Sequence, residues 1–313
     1  MEIETLHNTT ESKRNFIVGS EWLYYKIYTG AKTSDAILTE LIRPLAYDLL
    51  NKRTIDKWFF IRYADPNHHL RIRFKVKDPE AIGKVINELY NHLEFYHAQD
   101  LIWKIQIETY QKELERYGKT SIHLSEELFY IESELIVNFL NLIEGNEGEE
   151  LRWMFALKAI DSLLDIFDYK LSKKLELMEL LRIGFATEFA IDKTTKKQIN
   201  NKYNQNRSKI VQFINPDNGT RETYDILYNL LDTYQKKGLH TGKKIISLKQ
   251  NNLLEPKIEN LISSHIHMLM NRIFRNKNRL HEMVCYDFLT QYYKMQTFLT
   301  KGVKKHEKTK TYK

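Results

Sequence analysis

The chain has 313 residues, with 48 Lys and Arg against 41 Asp and Glu, so its formal net charge is +7 with histidine neutral. Its 42% hydrophobic and 28% charged residues are typical of globular proteins and exclude wholesale disorder. The single cysteine, Cys285, excludes an internal disulfide and a zinc site of paired cysteines, and it favours a reducing, cytoplasmic setting. No secretory signal and no apolar run long enough for a membrane span are predicted.

The basic excess is concentrated in two segments. Lys193–Gln250 holds twelve Lys or Arg against four Asp or Glu, and Lys301–Lys313 holds six Lys against one Glu, so the remainder is acidic. Such regions can attract an acidic peptide or a nucleic acid, but a solvated helix face and a basic tail explain them more simply. We therefore expect no direct binding of nucleic acid.

Aromatic and β-branched residues predict strands in the first third of the chain. The predicted strands are Phe16–Tyr28, Lys57–Tyr63, His69–Val76 and Leu101–Thr109, and the second and third form a hairpin. Thr33 and Ser34 are expected to cap a helix that runs to about Asn51 with a bend at Pro44. Asp78 is expected to cap the next helix.

After Gly118, apolar residues recur at spacings of three and four, which predicts helices alone. These are Ser125–Ile143, Glu149–Tyr169, Leu171–Ala190, Lys193–Ile214, Arg221–Lys237, Pro256–Phe274 and Arg279–Leu299. The order predicts an α+β fold: an N-terminal mixed or antiparallel sheet with flanking helices, followed by a mostly helical C-terminal half. We expect a flexible N-terminus over residues 1–14, one domain over 15–299 and a basic tail over 300–313.

Two segments carry charges that packing alone does not require. In a strand, Arg71 and Arg73 point to one face, where guanidinium groups roughly 7 Å apart can bind carboxylates or phosphates. Glu113 and Arg116 are three residues apart, so they become neighbours if a helical turn forms. Taken singly, a basic sheet face and a surface ion pair of little worth explain these residues without a site.

A third polar segment lies in an apolar helix near the C-terminus. His267, Asn271 and Arg272 lie at positions i, i+4 and i+5, so at least one of them must face a specific partner. His267 is a candidate acid or base because the unperturbed pKa of histidine is about 6.5. A hydrogen-bonded core histidine is the alternative. His265 and His267 diverge by about 200° on a helix and are poor joint metal ligands, so no metal site is predicted.

Together these segments resemble a known family. The succession WLYYKIYTG, KWFFIRYADPNHHLRIRF, ELERYG and SHIHMLMNRIF, from about Asn15 to Leu299, is similar to the thiopeptide-type bacteriocin biosynthesis domain. That domain is also the C-terminal elimination domain of class I lantibiotic dehydratases. The chain departs from the family pattern at Lys119, where a second glycine is usual, and at Asn67 and His68, where Gly-Pro is more common. Both departures concern turns.

The resemblance implies a cytoplasmic carbon–oxygen lyase of peptide natural-product maturation that needs no cofactor. Such domains remove glutamate from glutamylated Ser or Thr in a precursor peptide and leave dehydroalanine or dehydrobutyrine. The implied partners are the leader–core precursor peptide and a separate protein that transfers glutamate from glutamyl-tRNA. The resemblance also leaves room for a homodimer.

Residue roles follow from the same resemblance. Arg71, Arg73 and Arg116 would surround the glutamyl carboxylates and the developing negative charge, and His267 would transfer a proton. Residues expected to bind the substrate are Glu113, Arg62, Asn271 and Arg272.

Two other functions remain open at this point. One is a pyridine-forming cycloaddition enzyme of thiopeptide type, against which the retention of Arg71, Arg73, Glu113 and Arg116 argues. The other is a non-catalytic module that binds a peptide as the partner of a split dehydratase.

Overall fold

A computed structural model describes residues 13–143 and 145–310, with the side chains of all but 146, 147 and 302–310. Residues 1–12 of the predicted flexible N-terminus and 311–313 of the predicted basic tail lie outside these ranges. The chain forms two compact units. Unit 1 takes the described residues up to Leu142 together with Lys243–Asn276, and unit 2 takes those from Ile143 to Gly242 and from Lys277 onward. A single domain over 15–299 stays a prediction.

The described residues before 145 form both strands and helices. The strands are β1 (Asn15–Phe16), β2 (Trp22–Thr29), β3 (Ile55–Ala64), β4 (His68–Val76), β5 (Ile102–Glu108) and β6 (Tyr110–Gln111). The helices are α1 (Thr33–Ala36), a π-helical turn (Ile37–Ile42), α2 (Arg43–Asn51), a 3₁₀ turn (Pro79–Ala81), α3 (Ile82–Ala98), α4 (Leu114–Tyr117) and α5 (Ile122–Leu140).

From residue 145 onward the described chain is helical. The helices are α6 (Gly145–Ile166), α7 (Leu171–Glu188), α8 (Lys193–Ile214), α9 (Asn218–Thr223), α10 (Asp225–Gln250), α11 (Ile258–Ile273) and α12 (Asn278–Lys310). The predicted α+β fold, with its antiparallel sheet and helical C-terminal half, is confirmed. None of these helices combines the length and the apolar character that crossing a membrane requires, within the residues described.

The main sheet of unit 1 has the strand order β3–β4–β2–β5, with every pair antiparallel, while β1 pairs with β6. The predicted hairpin is β3 and β4, in which Phe59 faces Arg73 and Ile61 faces Arg71. Side chains alternate between the two faces of a strand. One face is therefore apolar, and its residues Leu23, Ile27, Leu70, Ile72 and Phe74 are fully buried. The opposite face carries both arginines.

The free edge of β3 is covered by α5 and α11. The Phe60 N–H donates to the Ser133 hydroxyl (3.2 Å). The Asn271 side chain accepts from the Arg62 N–H and donates to the Arg62 carbonyl, both at 2.8 Å. These side chains satisfy backbone groups that a further neighbouring strand would otherwise satisfy.

Local expectations failed where tertiary pairing decides the backbone. The predicted strand Phe16–Tyr28 is two strands, because a turn through Gly19, with φ +98°, sends β1 to β6. Neither Thr33 nor Ser34 caps α1: the Ser34 hydroxyl donates to the Ala31 carbonyl instead. A π-helical turn, Ile37–Ile42, precedes Pro44, and the bend expected at Pro44 stays a prediction. Asp78 caps its 3₁₀ turn as predicted.

Unit 2 is a helical assembly with its own core. Its buried residues include large side chains from α6, α10 and α12, among them Phe155, Leu163, Tyr228 and Tyr293. The predicted helix Arg221–Lys237 is wrong, since α9 ends at Thr223 and α10 continues to Gln250. The Asp217 carboxylate caps α9 by accepting from the Thr220 N–H, which starts a separate short helix there.

Candidate functional site

Arg73 is a buried cation surrounded by aromatic rings. Its guanidinium lies 4.3 Å from the ring centre of Tyr24, 4.9 Å from that of Tyr110 and 5.3 Å from that of Phe59. The side chain is 8% exposed, and its buried Nε has no hydrogen-bond partner among the described residues. No carboxylate in the described part of the chain lies within ion-pair distance of it. Cation–π contacts offset part of the desolvation cost, but they leave the positive charge available to a ligand.

Arg71 lies two residues away on the same face of β4 and is half-buried. Its guanidinium stacks 3.5 Å above the ring centre of Tyr63, and its Nε donates to Nε2 of His69 (3.1 Å). Within the residues described, Arg71 also has no carboxylate partner. The prediction that Arg71 and Arg73 share a face is confirmed by the register.

Glu113 and Arg116 form the predicted i, i+3 pair at the start of α4, with 3.5 Å between the charged atoms. Both are partly exposed. The Arg116 Nε also donates to the Ser264 hydroxyl on α11 (3.0 Å). The pair therefore connects the segment after β6 to the helix that carries His267.

The turn after this pair requires glycine. Gly118 has φ +77°, and a Cβ there would collide with the side chains of Glu255, Ser121 and Pro256. Only glycine adopts this conformation without strain. The glycine of ELERYG therefore ends the helical turn that carries Arg116. Lys119, where the chain departs from the family pattern, is exposed.

His267 lies on α11 and is half-buried. Residues three and four apart on a helix are neighbours on its surface. His267 therefore lies between Ser264, which binds Arg116, and Asn271, which binds the backbone of β3 at Arg62. This row places His267 on the side of α11 that faces the arginine-bearing elements.

The three remaining predicted residues make contacts within the protein. Arg62 is 2% exposed and pairs with Asp35 (2.5 Å), while its other nitrogens donate to Ser34 and to the Arg272 carbonyl. Asn271 is engaged with the backbone of β3. Arg272 is fully buried and pairs with Glu132 (2.7 Å). Their role in substrate binding stays a prediction.

The interior behind Arg272 is fully buried and electrostatically unusual. Burial raises the pKa of Glu132 to about 7, although the charge of Arg272 opposes this shift. Burial, with the charges of Arg272 and Arg116, lowers the pKa of His265 to about 3. His265 is therefore neutral at physiological pH.

A cavity joins several of these groups. Arg73, Glu113 and Arg272 line a small cleft of about 30 Å³ that is partly open to solvent. Met268, which follows His267 in the chain, lines it as well, together with the aromatic rings of Phe59, Tyr110, Tyr117 and Phe129. The lining is cationic and mostly aromatic, and a guanidinium in such a place can bind a carboxylate group.

Two residues at this face received no role from the sequence. His69 and Tyr63 hold the Arg71 guanidinium from two sides. The signal for His69 was available, because residues i and i+2 of a strand lie on one face. The described residues contain no cluster of three or more His, Cys, Asp or Glu arranged to bind a metal ion.

Sequence relatives point to one family. The family model described as lantibiotic biosynthesis dehydratase, C-terminal part, matches residues 22–293. Subtilin biosynthesis protein SpaB of Bacillus subtilis is 23% identical over 272 residues, which are 84% of this chain. The match spans only 25% of SpaB, so the chain corresponds to about a quarter of that relative's length.

Two solved structures share the fold. The tRNA dependent lantibiotic dehydratase MibB from Microbispora sp. 107891 matches with a TM-score of 0.66 at 17% identity, over 90% of this chain and 29% of MibB. The pyridine synthase TbtD from thiomuracin biosynthesis matches with a TM-score of 0.61 at 12% identity, over 88% of this chain and 100% of TbtD. Because the family model covers most of the chain, the protein belongs to the family of lantibiotic biosynthesis dehydratase C-terminal domains.

Proposed function

We propose that the chain catalyses the β-elimination of glutamate from glutamylated Ser or Thr in a precursor peptide. The observation that supports this most directly is Arg73, a buried guanidinium that lines the cavity and has no carboxylate partner among the described residues. A protein bears the cost of burying such a charge when a ligand neutralises it. The leaving group of this reaction is a carboxylate.

The proposed reaction proceeds without a redox partner. A base removes the proton from Cα of the modified residue, and the electron pair forms the Cα=Cβ double bond. The Cβ–O bond breaks, and glutamate leaves with the negative charge on its carboxylate. Negative charge develops first on the peptide carbonyl and then on the leaving group, so a preorganised cation beside these atoms lowers the barrier.

The other residues take roles that suit their positions. Arg71, whose Nε alone is engaged by His69, would bind a carboxylate of the glutamyl group. Glu113, which lines the cavity, would bind the glutamyl ammonium while it holds Arg116. His267, on the row between Ser264 and Asn271, would transfer the proton.

The partners are part of the same proposal. The substrate is a leader–core precursor peptide, and a separate cytoplasmic protein attaches glutamate to it from glutamyl-tRNA. MibB is a tRNA dependent lantibiotic dehydratase and SpaB is a subtilin biosynthesis protein, and both relatives support this assignment.

The test uses the full chain and a synthetic peptide that carries one glutamyl ester on Ser, verified by mass spectrometry before use. We expect a product lighter by one water than the unmodified peptide, together with free glutamate. The matched control is the same peptide with a glutamyl amide on diaminopropionate, whose poorer leaving group should remain attached. An intact ester after prolonged incubation would refute the proposal.

Pyridine-forming cycloaddition is the second candidate, because the fold match spans the whole of TbtD. That likeness concerns the fold alone at 12% identity. A peptide with two dehydroalanines distinguishes the candidates: a cycloaddition enzyme converts it to a pyridine product with ultraviolet absorbance, whereas a glutamate lyase leaves it unchanged.

A further inference from the structure

His69 makes a set of contacts that no packing requirement explains. Its ring is 1% exposed and stacks on Tyr28, with 4.6 Å between the ring centres. Its Nδ1 lies 2.8 Å from the Asn67 carbonyl, and its Nε2 lies 3.1 Å from Nε of Arg71. Both nitrogens of a buried ring are therefore engaged.

These partners determine which nitrogen carries the proton. A carbonyl oxygen can only accept, so Nδ1 carries the hydrogen and donates to Asn67. Nε of arginine can only donate, so Nε2 of His69 is the unprotonated acceptor. The arrangement requires a neutral ring, because an imidazolium would direct a second N–H at the guanidinium.

The surroundings favour this neutral form. Burial lowers the pKa of His69, and the charges of Arg71, Lys26 and His68 lower it further, against the hydrogen bond to Asn67. Lys26 approaches from β2 and pairs with Glu108, while the rings of Tyr28 and Tyr63 pack from β2 and β3.

The contacts also limit how Arg71 can bind a ligand. Its Nε is used by His69, and one face of its guanidinium is covered by Tyr63. Its two terminal nitrogens make no hydrogen bond to any residue that the structure describes. A carboxylate can therefore form paired hydrogen bonds only with these two nitrogens, end-on.

We propose that His69 is a positioning residue, which holds the Arg71 guanidinium so that its terminal nitrogens meet the glutamyl carboxylate end-on. The proposal rests on the proposed function for the identity of that carboxylate. The new element is that His69, which is not among the charged residues proposed to bind substrate, controls how the substrate is oriented.

Two substitutions test the hydrogen-bond acceptor of His69 and its aromatic ring independently. His69→Gln keeps an acceptor oxygen at the place of Nε2 and removes the ring, whereas His69→Phe keeps the ring stacked on Tyr28 and removes the acceptor. The probe is free L-glutamate, titrated into the ¹⁵N-labelled full chain and followed at the Arg71 Nε resonance, which Arg71→Lys assigns. Thermal melting of each variant confirms that it is folded.

We expect His69→Phe to weaken glutamate binding at Arg71 about tenfold, and His69→Gln to remain within about twofold of the unchanged chain. With the glutamyl ester peptide, His69→Phe should raise KM more than it lowers kcat. Equal losses in both variants would overturn the proposal, since a purely structural ring explains them. No loss in His69→Phe, or no glutamate response at Arg71 in the unchanged chain, would overturn it too.

The experiments distinguish a failure of the proposed lyase function from a failure of the positioning role proposed for His69. If the unchanged chain binds glutamate at Arg71 but leaves a verified ester intact, the lyase function is wrong. The comparison of His69→Phe with His69→Gln still decides the role of His69, because binding is measured without turnover.

Discussion

Two pairs of buried or half-buried arginines in unit 1 differ in what neutralises them. In the seam between β3 and α11, Arg62 pairs with Asp35 and Arg272 pairs with Glu132. On the opposite face of the sheet, the face arginines Arg71 and Arg73 contact aromatic rings, and no described carboxylate pairs with either. The seam arginines have carboxylate partners within the protein, whereas the face arginines have none among the described residues. We therefore expect charge pairing, more than burial, to distinguish arginines that stabilise the fold from arginines that bind substrate here.

The largest expected effect concerns the seam. Arg272→Met should lower the free energy of unfolding by about 3–5 kcal/mol in urea denaturation at pH 8, because it leaves the carboxyl of Glu132 buried without its cation. Without the Arg272 charge, which lowers the pKa of Glu132, that pKa rises further, so at pH 6 a proton neutralises the carboxyl and the loss of stability should shrink. The double variant Arg272→Met, Glu132→Leu should recover most of the stability. A stable Arg272→Met chain that has lost elimination would place Arg272 in the site instead.

Substitution of a face arginine should lower activity without lowering stability. Arg73→Met should lower kcat/KM for glutamate elimination about a hundredfold or more, because the charge that stabilises the leaving carboxylate is lost. Its stability should be unchanged or increased, since an apolar side chain replaces a buried cation that no described carboxylate neutralises. Arg62→Met is the matched control and should lose stability. Equal destabilisation of both variants would show that Arg62 and Arg73 contribute alike to stability, and it would refute the proposed difference between the seam arginines and the face arginines.

A smaller effect is expected at the rim of the cavity. Glu113→Gln should change the unfolding free energy by less than about 1 kcal/mol, because the pair with Arg116 is exposed. It should still lower kcat/KM about tenfold, as a bound ammonium loses its anion. Glu115→Gln, two residues away and paired with Arg14, is the control and should leave turnover unchanged. Identical turnover in both variants would remove Glu113 from the site.

The smallest expected change is at His265. Its ring should show no protonation between pH 8 and pH 5 in an NMR titration, since burial and the charges of Arg272 and Arg116 lower its pKa and favour the neutral form. His265→Phe assigns the resonance. Titration near the ordinary histidine pKa of about 6.5 would mean that water reaches the interior around His265.

Short-range patterns predicted much of this molecule. Alternation along β3 and β4 predicted the hairpin and the shared face of Arg71 and Arg73, and the i, i+3 spacing predicted the pair of Glu113 with Arg116. These features depend on neighbours in the chain, so the sequence reveals them directly.

Contacts between residues far apart in the chain could not be predicted from the sequence. Substrate binding by Arg62 and Arg272 stays a prediction, but their ion-pair partners were not predicted: Asp35 lies 27 residues from Arg62, and Glu132 lies 140 residues from Arg272. No local pattern reveals such partners. The same limit explains β1, whose strand conformation depends on pairing with β6.

The amide of Asn271 has a mechanical consequence for alignment. It bonds both backbone groups of Arg62 on the outer edge of β3, while the preceding residue, Ile61, pairs with Arg71 across the hairpin. Sliding α11 along the sheet by one residue would break both bonds at once. The two hydrogen bonds therefore fix the position of α11, which carries His267, along β3, the strand that pairs with the Arg71 strand. A shift of α11 by more than the length of a hydrogen bond would break this alignment.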